Sequence, residues 1–372
     1  MEQIGVQELV ARLEAGEKLR ILDVREAEAF DAWHIHGSEN LPVYHELRSG
    51  DVSRLIEWAR GLSEEIPIVA VCNAGVTSRI AVEALTATEI HAVNLQGGIH
   101  AWSSAWTKAQ VPLCRDDVGQ VVQVRRNGKG CLSYLVVSNG VAAVFDASVA
   151  ADVYVGLAKE CAASIKYVFE THIHADHVSR GSALAARVGA EYLLPVTQRY
   201  YGACGYVGDG ETLSVGSLDV TVHSTPGHTS ESVSYLISDS VLLTGDTLFL
   251  DSVGRPDLER GDAGAEEGAR KLYATLHDKL LSLSDQVLVC PAHSAASIGF
   301  DGVPLVRELA DIRNSISLLG FSEEVFVETI LSGLGSKPNN HLHVIEVNQG
   351  QRTVVDTDLL HLEVGPNRCA AC

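Results

Sequence analysis

The stretch "SIKYVFETHIHADHVSRG", residues 164–181, decides the fold of the larger part of this chain. An apolar strand, "SIKYVFE", runs straight into His172, His174, Asp176 and His177. Surface loops rarely need that density of imidazole, and a core would have to satisfy every ring nitrogen. The pattern recurs downstream. "LDVTVHST" runs into "PGHT" with His228, "VLLTGD" ends on Asp246, and "VLVCPAH" ends on His293. Each chemically active side chain therefore follows a strand. Strand ends gathered along one edge of a sheet bring residues distant in sequence to one place. Neutral imidazole and carboxylate are the usual donors for zinc and non-haem iron. A count of donors alone leaves one metal ion or two open.

Outward from that stretch, the chain divides. Its 372 residues suggest two domains. The first hundred or so residues alternate helix and strand: "VQELVARLEAG" has helical spacing and ends at Gly16, and "LRILDV" and "IPIVAVC" are short apolar strands. "TSRIAVEALTA" opens on a capping-type Thr or Ser and reads as a helix, and "HAVNLQGG" is strand then turn. This is a small α/β unit with a parallel sheet. The pattern breaks near residues 107–117. Beyond it, strands are joined by Asn-Gly turns at 127–128 and 139–140. Helical segments such as "SALAARVGA" and "GARKLYATLHDKLLSL" alternate with the later strands. There is no long internal repeat and no low-complexity segment.

The ordered set "HIHADH", "TPGH", "TGD" and "PAH" resembles the metallo-β-lactamase fold, over residues 118–372. The resemblance implies an αβ/βα sandwich with a metal site along one edge. The two-metal version of the pattern would use His172, His174 and His228 at one position and Asp176, His177 and His293 at the other, with Asp246 bridging. "THIHADH" with "GRPD" at 254–257 is similar to the persulfide dioxygenase branch of that fold. There, the resemblance implies one Fe(II) per chain on His172, His228 and Asp246, a two-His, one-carboxylate facial triad. His174, Asp176, His177 and His293 would then orient ligands and water, and Arg255 and Asp257 would brace the loop as an ion pair. The tail segments "KPNNHLHVIEVNQG" and "GPNRC" resemble bacterial members, and Cys369 matches a cysteine near the active site. Cys369 also forms a CxxC with Cys372. "PAHS" lacks the Asp-Tyr that follows this histidine in animal and plant members, and "DHVSRG" departs from the usual Gly-rich continuation. Dimers are common in this branch, which implies a homodimer.

In the first hundred residues one cysteine stands out. "VAVCNAGVTSRIAVEAL" puts Cys72 at the end of an apolar strand, before a tight loop and a helix. Loop N–H groups and the helix N-terminus together stabilise a thiolate and so favour a nucleophile. "LDVREAEAFDAWHIHGSENLPV", "CNAGVTS" and "NLQGGIHAW" resemble a rhodanese domain over residues 1–108. The resemblance implies that Cys72 accepts sulfane sulfur as Cys–S–SH and passes it on. Asp23 and Arg25 read as structural. Thr77 stands where active loops often carry Arg, with Arg79 nearby, and "WHIHGS" replaces "GHIPGA".

Composition narrows the function. A net charge of −20 argues against a nucleic-acid partner, since phosphate binding needs a basic surface. No run of about 18 apolar residues is present, so no membrane span is expected. The opening "MEQIGVQELVARLEAGEKLR" does not read as a signal peptide. Eight scattered cysteines suggest reduced thiols in a cytoplasm. Together the two resemblances imply a sulfide-oxidation enzyme: iron-dependent oxidation of a thiol persulfide, glutathione persulfide first among them, by O2 to sulfite and thiol, coupled at Cys72 to thiosulfate or sulfite. Two other readings stand beside it. One is a thioester hydrolase of glyoxalase II type with two Zn or Fe ions. The other is a non-catalytic sulfur carrier or redox sensor whose metal is structural.

Overall fold

The computed structural model describes residues 2–62, 65–113, 118–355, 359, 362–363, 365 and 367–371. Five short strands, β1 (Gln3–Ile4), β2 (Arg20–Asp23), β3 (Glu39–Asn40), β4 (Ile68–Val71) and β5 (Ala92–Leu95), form an all-parallel sheet in the order β1-β5-β4-β2-β3. Parallel strands need covered faces, which is why β4 reads as an unbroken apolar run. On one face Leu22, Ile68 and Ala70 meet Leu47, Leu55, Ala81 and Leu85 from the helices Tyr44–Ser49, Ser53–Ala59 and Thr77–Thr86. On the other, Ile21, Val69 and Val93 meet Leu9 and Val10 of the helix Val6–Glu14, and Trp102.

The helix Thr77–Thr86 starts differently from the sequence expectation. Its N-cap is Val76, without a side-chain cap, and Thr77 and Ser78 lie inside the first turn. The Ser78 hydroxyl is committed elsewhere, to Asn94 Oδ1 at 2.7 Å and to the Cys72 sulfur at 3.1 Å.

The second part is a sandwich of two sheets. One contains β6 (Thr107–Val111), β7 (Gln120–Arg126), β8 (Cys131–Ser138), β9 (Val141–Phe145), β10 (Ser164–Phe169), β11 (Glu191–Pro195) and β12 (Gly205–Val207), ordered β12-β11-β10-β9-β8-β7-β6. The Asn139–Gly140 turn between β8 and β9 has both central φ angles positive, +48° and +76°, as a two-residue hairpin turn requires. The region where the sequence pattern breaks supplies a strand. Thr107–Val111 pairs antiparallel with β7, while residues 114–117, Cys114 among them, lie outside the described residues.

The other sheet contains β13 (Thr212–Val215), β14 (Leu218–Ser224), β15 (Val233–Ile237) and β16 (Val241–Gly245). After a short outlying strand, β17 (Val253–Gly254), it is completed by β18 (Leu288–Pro291) and β19 (Arg307–Glu308). Between the sheets Tyr134, Phe145, Phe169 and Tyr235 form the centre of the core, with Phe145 stacked on Phe169 at 4.7 Å. Tyr154, Leu157 and Leu184 of the helices Ala151–Glu160 and Gly181–Val188 cover the outside of the first sheet. Leu272, Ile312 and Phe326 of later helices cover the second. The layers are therefore helix, sheet, sheet, helix. The tail returns to the body through β20 (Ala370–Ala371), which pairs with β17.

The two parts touch at the β7–β8 turn. Arg126 Nε donates to Ser103 O at 2.8 Å and Gly128 N donates to Ala105 O at 3.2 Å. No helix of the described residues is long and apolar enough to cross a membrane.

Candidate metal centre

The strand ends converge, but from two facing sheets and not from one edge of a single sheet. His172 follows β10 of the seven-stranded sheet; His228, Asp246 and His293 follow β14, β16 and β18 of the six-stranded one. Sandwich packing, which puts the ends of both sheets at one rim, is what joins them. Gly245 makes the approach possible: its φ is +54°, and a Cβ there would lie 2.6 Å from Thr171 Oγ1. Asp246 thereby turns inward beside His172.

His172, His228 and Asp246 form one tight group of buried donors. Asp246 Oδ2 lies 3.6 Å from both His172 Nε2 and His228 Nε2. An ion about 2.1 Å from each donor would hold such atoms roughly 3–4 Å apart. Among the described residues none of these three atoms has a hydrogen-bond partner, although buried polar atoms almost always find one. Their other atoms are engaged in ways that aim them. The Asp146 carboxylate accepts from the Thr171 hydroxyl at 3.0 Å, so His172 Nδ1–H donates to Thr171 Oγ1 at 2.9 Å. His228 Nδ1–H donates to Arg255 O at 2.8 Å, and Asp246 Oδ1 accepts from His293 Nδ1–H at 2.6 Å. Each imidazole thus presents an Nε2 lone pair inward, the tautomer a metal takes. The donor set fits a divalent ion.

The remaining histidines divide. His174 is drawn away from His172 and His228: its Nε2–H points at Asp146 Oδ1 and Glu170 Oε2, each 3.2 Å away. Burial alone would favour neutral His174, but the two carboxylates overcome it and hold its pKa well above the usual value. Glu170 also accepts from Ser179 Oγ, and from Tyr192 OH at 3.2 Å. Asp176, His177 and His293 form a second group, and Cys131 joins them. Sequence reasoning missed Cys131 and Asp146, which lie outside the His-rich motifs, and Glu170, which stands just before one but carries no imidazole. Burial would push the Cys131 thiol up, yet the facing His177 outweighs it, with Asp176 opposing and His293 helping, and brings it down to about 6. Burial would also raise Asp246, but His293, His172 and His228 hold it far below the carboxylate range.

The tail closes the site. Arg255 and Asp257 form a buried ion pair, at 2.7 and 3.0 Å, not a surface one. The same guanidinium donates to the carbonyls of Gly335, Ser336 and Arg368. Cys369 is buried and lies with Asp246 and His293. Its CxxC partner Cys372 lies outside the described residues. Asn348, within the quoted tail segment but not singled out there, donates to the carbonyls of His174 and His177 at 2.8 Å each.

Cys72 closes β4 in the first domain and is buried. Its loop rests on the turn after β5: Ile99 N donates to Cys72 O at 2.9 Å and His100 N to Asn73 O at 3.0 Å. Gly98, with φ +56°, allows this contact, because a Cβ there would lie 2.2 Å from Cys72 O. Asp23 and Arg25 form a buried pair, Nη2 to Oδ2 at 2.7 Å, with Arg25 also donating to Trp33 O. They brace the strand ends and do not meet the thiol.

Comparison with known proteins follows the same division. Residues 5–105 match the Rhodanese-like domain model, and residues 126–293 match that of the Metallo-beta-lactamase superfamily. The mitochondrial persulfide dioxygenase ETHE1 of Mus musculus is 32% identical over 144 residues, 37% of this chain and 52% of that protein. The chain therefore spans about half the length of that relative. A hydroxyacylglutathione hydrolase of Brucella anthropi is 38% identical over 95 residues, 25% of this chain and 36% of the relative. The crystal structure of ETHE1 from Myxococcus xanthus superposes with a TM-score of 0.54 at 27% identity, covering 62% of this chain and 98% of that one. The chain joins a rhodanese-like domain to a domain of the metallo-β-lactamase superfamily.

Proposed function

We propose that the chain is a persulfide dioxygenase with a fused sulfurtransferase domain. The observation that carries this reading is the trio of buried, unpartnered atoms His172 Nε2, His228 Nε2 and Asp246 Oδ2. Two imidazoles and one carboxylate, with no fourth donor grouped with them among the described residues, match the ligand set of non-haem Fe(II) oxygenases. The likeness to persulfide dioxygenases in sequence and structure supports the same reading. One Fe(II) per chain, bound by His172, His228 and Asp246, would supply open positions where a persulfide sulfur and O2 meet. The balanced reaction is RSSH + O2 + H2O → RSH + SO3²⁻ + 2H⁺, in which the terminal sulfur loses four electrons and O2 gains them. Glutathione persulfide is the proposed carrier.

The protein's own groups prepare the site. Thr171, Arg255 O and His293 fix the rotation of the three donors. His174 is held by Asp146 and Glu170 as a positive group beside His172, their ring centres 4.2 Å apart. The buried Arg255–Asp257 pair holds the carbonyl that orients His228. At Cys72 the thiolate would attack the sulfane sulfur of thiosulfate, releasing sulfite and forming Cys–S–S⁻; a small thiol then takes that sulfur and regenerates Cys72.

The hydrolase reading draws on the likeness to hydroxyacylglutathione hydrolases. It needs His174 beside the first metal and Asp246 shared between two. His174 facing two carboxylates, and Asp246 Oδ1 taken by His293, weigh for the single-iron reading. The deciding experiment is oxygen consumption by Fe(II)-loaded protein given glutathione persulfide, against a metal-free control. Iron-dependent uptake with sulfite release is expected. Absence of uptake, with two metal equivalents bound, would favour the hydrolase.

A further inference from the structure

We propose that a cavity at the junction of the two domains binds a tetrahedral oxyanion, a group of the phosphate or sulfate type. The cavity has a volume of about 370 Å³. It lies at the first turns of the helices Ala151–Glu160 and Gly181–Val188, which cover the outside of the first sheet. Arg126, Arg180 and Arg187 line it, with Ser148 and, from the first domain, Ser104. On a chain of net charge −20, three guanidinium groups around one cavity reverse the local sign. Two carboxylates stand against them: Glu363 between Arg126 and Arg180, and Asp152 paired with Arg187. Among the described residues, three cations against two anions leave one positive charge.

The departure of "DHVSRG" from the Gly-rich pattern is what puts Arg180 there, as the N-cap of the helix Gly181–Val188. Ala150 is the N-cap of the helix Ala151–Glu160. Both N-cap residues line the cavity, and neither helix has a side-chain cap. An uncapped N-terminus offers backbone N–H groups and the positive end of the helix dipole, which suit an anion. Helix termini alone do not select a ligand; Arg126 does. It is 2% exposed, its Nε donates to Ser103 O at 2.8 Å and its Nη2 to Glu363 Oε2 at 2.7 Å. Its Nη1 is buried and has no hydrogen-bond partner among the described residues, and Ser148 Oγ on the same cavity is likewise without one. Buried polar atoms almost always find a partner, and a guanidinium N–H can take only an acceptor. The Arg187–Asp152 pair is exposed and therefore weak, so its guanidinium can turn to a ligand. The planar fork of arginine matches two oxygens of a phosphate or sulfate group.

The probe is sulfate, titrated into iron-loaded full-length protein by calorimetry at constant ionic strength, with chloride as the blank. Saturable binding is expected, at least about tenfold weaker in Arg187→Ala and about threefold tighter in Asp152→Asn. Both side chains are exposed, so neither change threatens the fold. A sulfate held on the Cys72 loop or at the metal centre would respond to neither. No saturable heat, or one isotherm shared by all three proteins and so an adventitious ion only, would overturn the proposal. Inorganic phosphate and glycerol phosphate then separate the two sources of the group. Both should weaken in Arg187→Ala; tighter binding of glycerol phosphate assigns the cavity to the end of an organic molecule, and tighter binding of phosphate to the free ion. Sulfate takes no part in the proposed oxidation, so a failure here is distinct from a failure of the dioxygenase reading.

Discussion

Cys72 and the metal centre are built in opposite ways. The surroundings of Cys72 come from one loop and the turn after the adjacent strand, held by a few backbone hydrogen bonds within residues 72–100. The metal centre draws its donors from His172 to His293, from both sheets of the sandwich, and is roofed by the tail. A site of the first kind depends on local chain geometry. A site of the second kind depends on the whole domain being assembled, so distant residues acquire power over its chemistry.

The strongest way to break that contrast is to remove one donor from each centre. His228→Ala should abolish tight iron binding and reduce oxygen uptake to the metal-free level, because two remaining donors do not hold the ion. Sulfur transfer from thiosulfate should survive in the same variant. Cys72→Ser should do the reverse: no sulfur transfer, but unchanged oxygen uptake from added persulfide. Metal analysis and the two assays on both proteins check this. Loss of both activities in Cys72→Ser would mean that the centres are not separable.

Next in size is the contribution of the tail. Glu363 is buried between Arg126 and Arg180 and accepts from Val178 N at 2.7 Å, just past His177. Burial would raise its pKa, but Arg126 first and then Arg180 bring it from 4.5 down to about 2. A lowered folded value means stability that is complete above about pH 4.5 and lost as the pH falls through about 2. The shift corresponds to about 3 kcal/mol at neutral pH. Glu363→Gln should therefore lower the melting temperature at pH 7 and flatten the acid limb of the stability curve. A local site would not respond to such a change, so Cys72 activity below the melting temperature should be unaltered.

How much of this was legible in the sequence follows the same contrast. The Cys72 loop could be read almost whole, because strand, loop and helix are contiguous. The exception was Ser78, taken as a possible cap, whose hydroxyl is claimed by Asn94 from the next strand. At the metal centre the donors announced themselves, since each stands in a motif at a strand end. Their supports did not. Cys131 is 45 residues from Asp176, and Asn348 is 174 residues from the His174 carbonyl it holds. Asp146 and Glu170 are ordinary acidic residues until the fold brings His174 between them. The strand Thr107–Val111 was also hidden, because its alternation of buried Thr107, Ala109 and Val111 with exposed Lys108 and Gln110 is short and weakly apolar.

The smallest expected effect sharpens what Ser78 does in the local site. Its single hydroxyl hydrogen faces two acceptors, Asn94 Oδ1 at 2.7 Å and the Cys72 sulfur at 3.1 Å. The shorter contact takes the hydrogen, which leaves the oxygen lone pairs toward sulfur. Ser78→Ala should then leave Asn94 Oδ1 without its donor in a buried place and cost about 1 kcal/mol of stability. Sulfur transfer should change by less than about tenfold, since no charged hydrogen bond to the thiolate is lost. Chemical denaturation and thiosulfate-dependent transfer measure the two effects on one sample. Unchanged stability with a larger loss of transfer would reverse the assignment and make Ser78 the donor that holds the Cys72 thiolate.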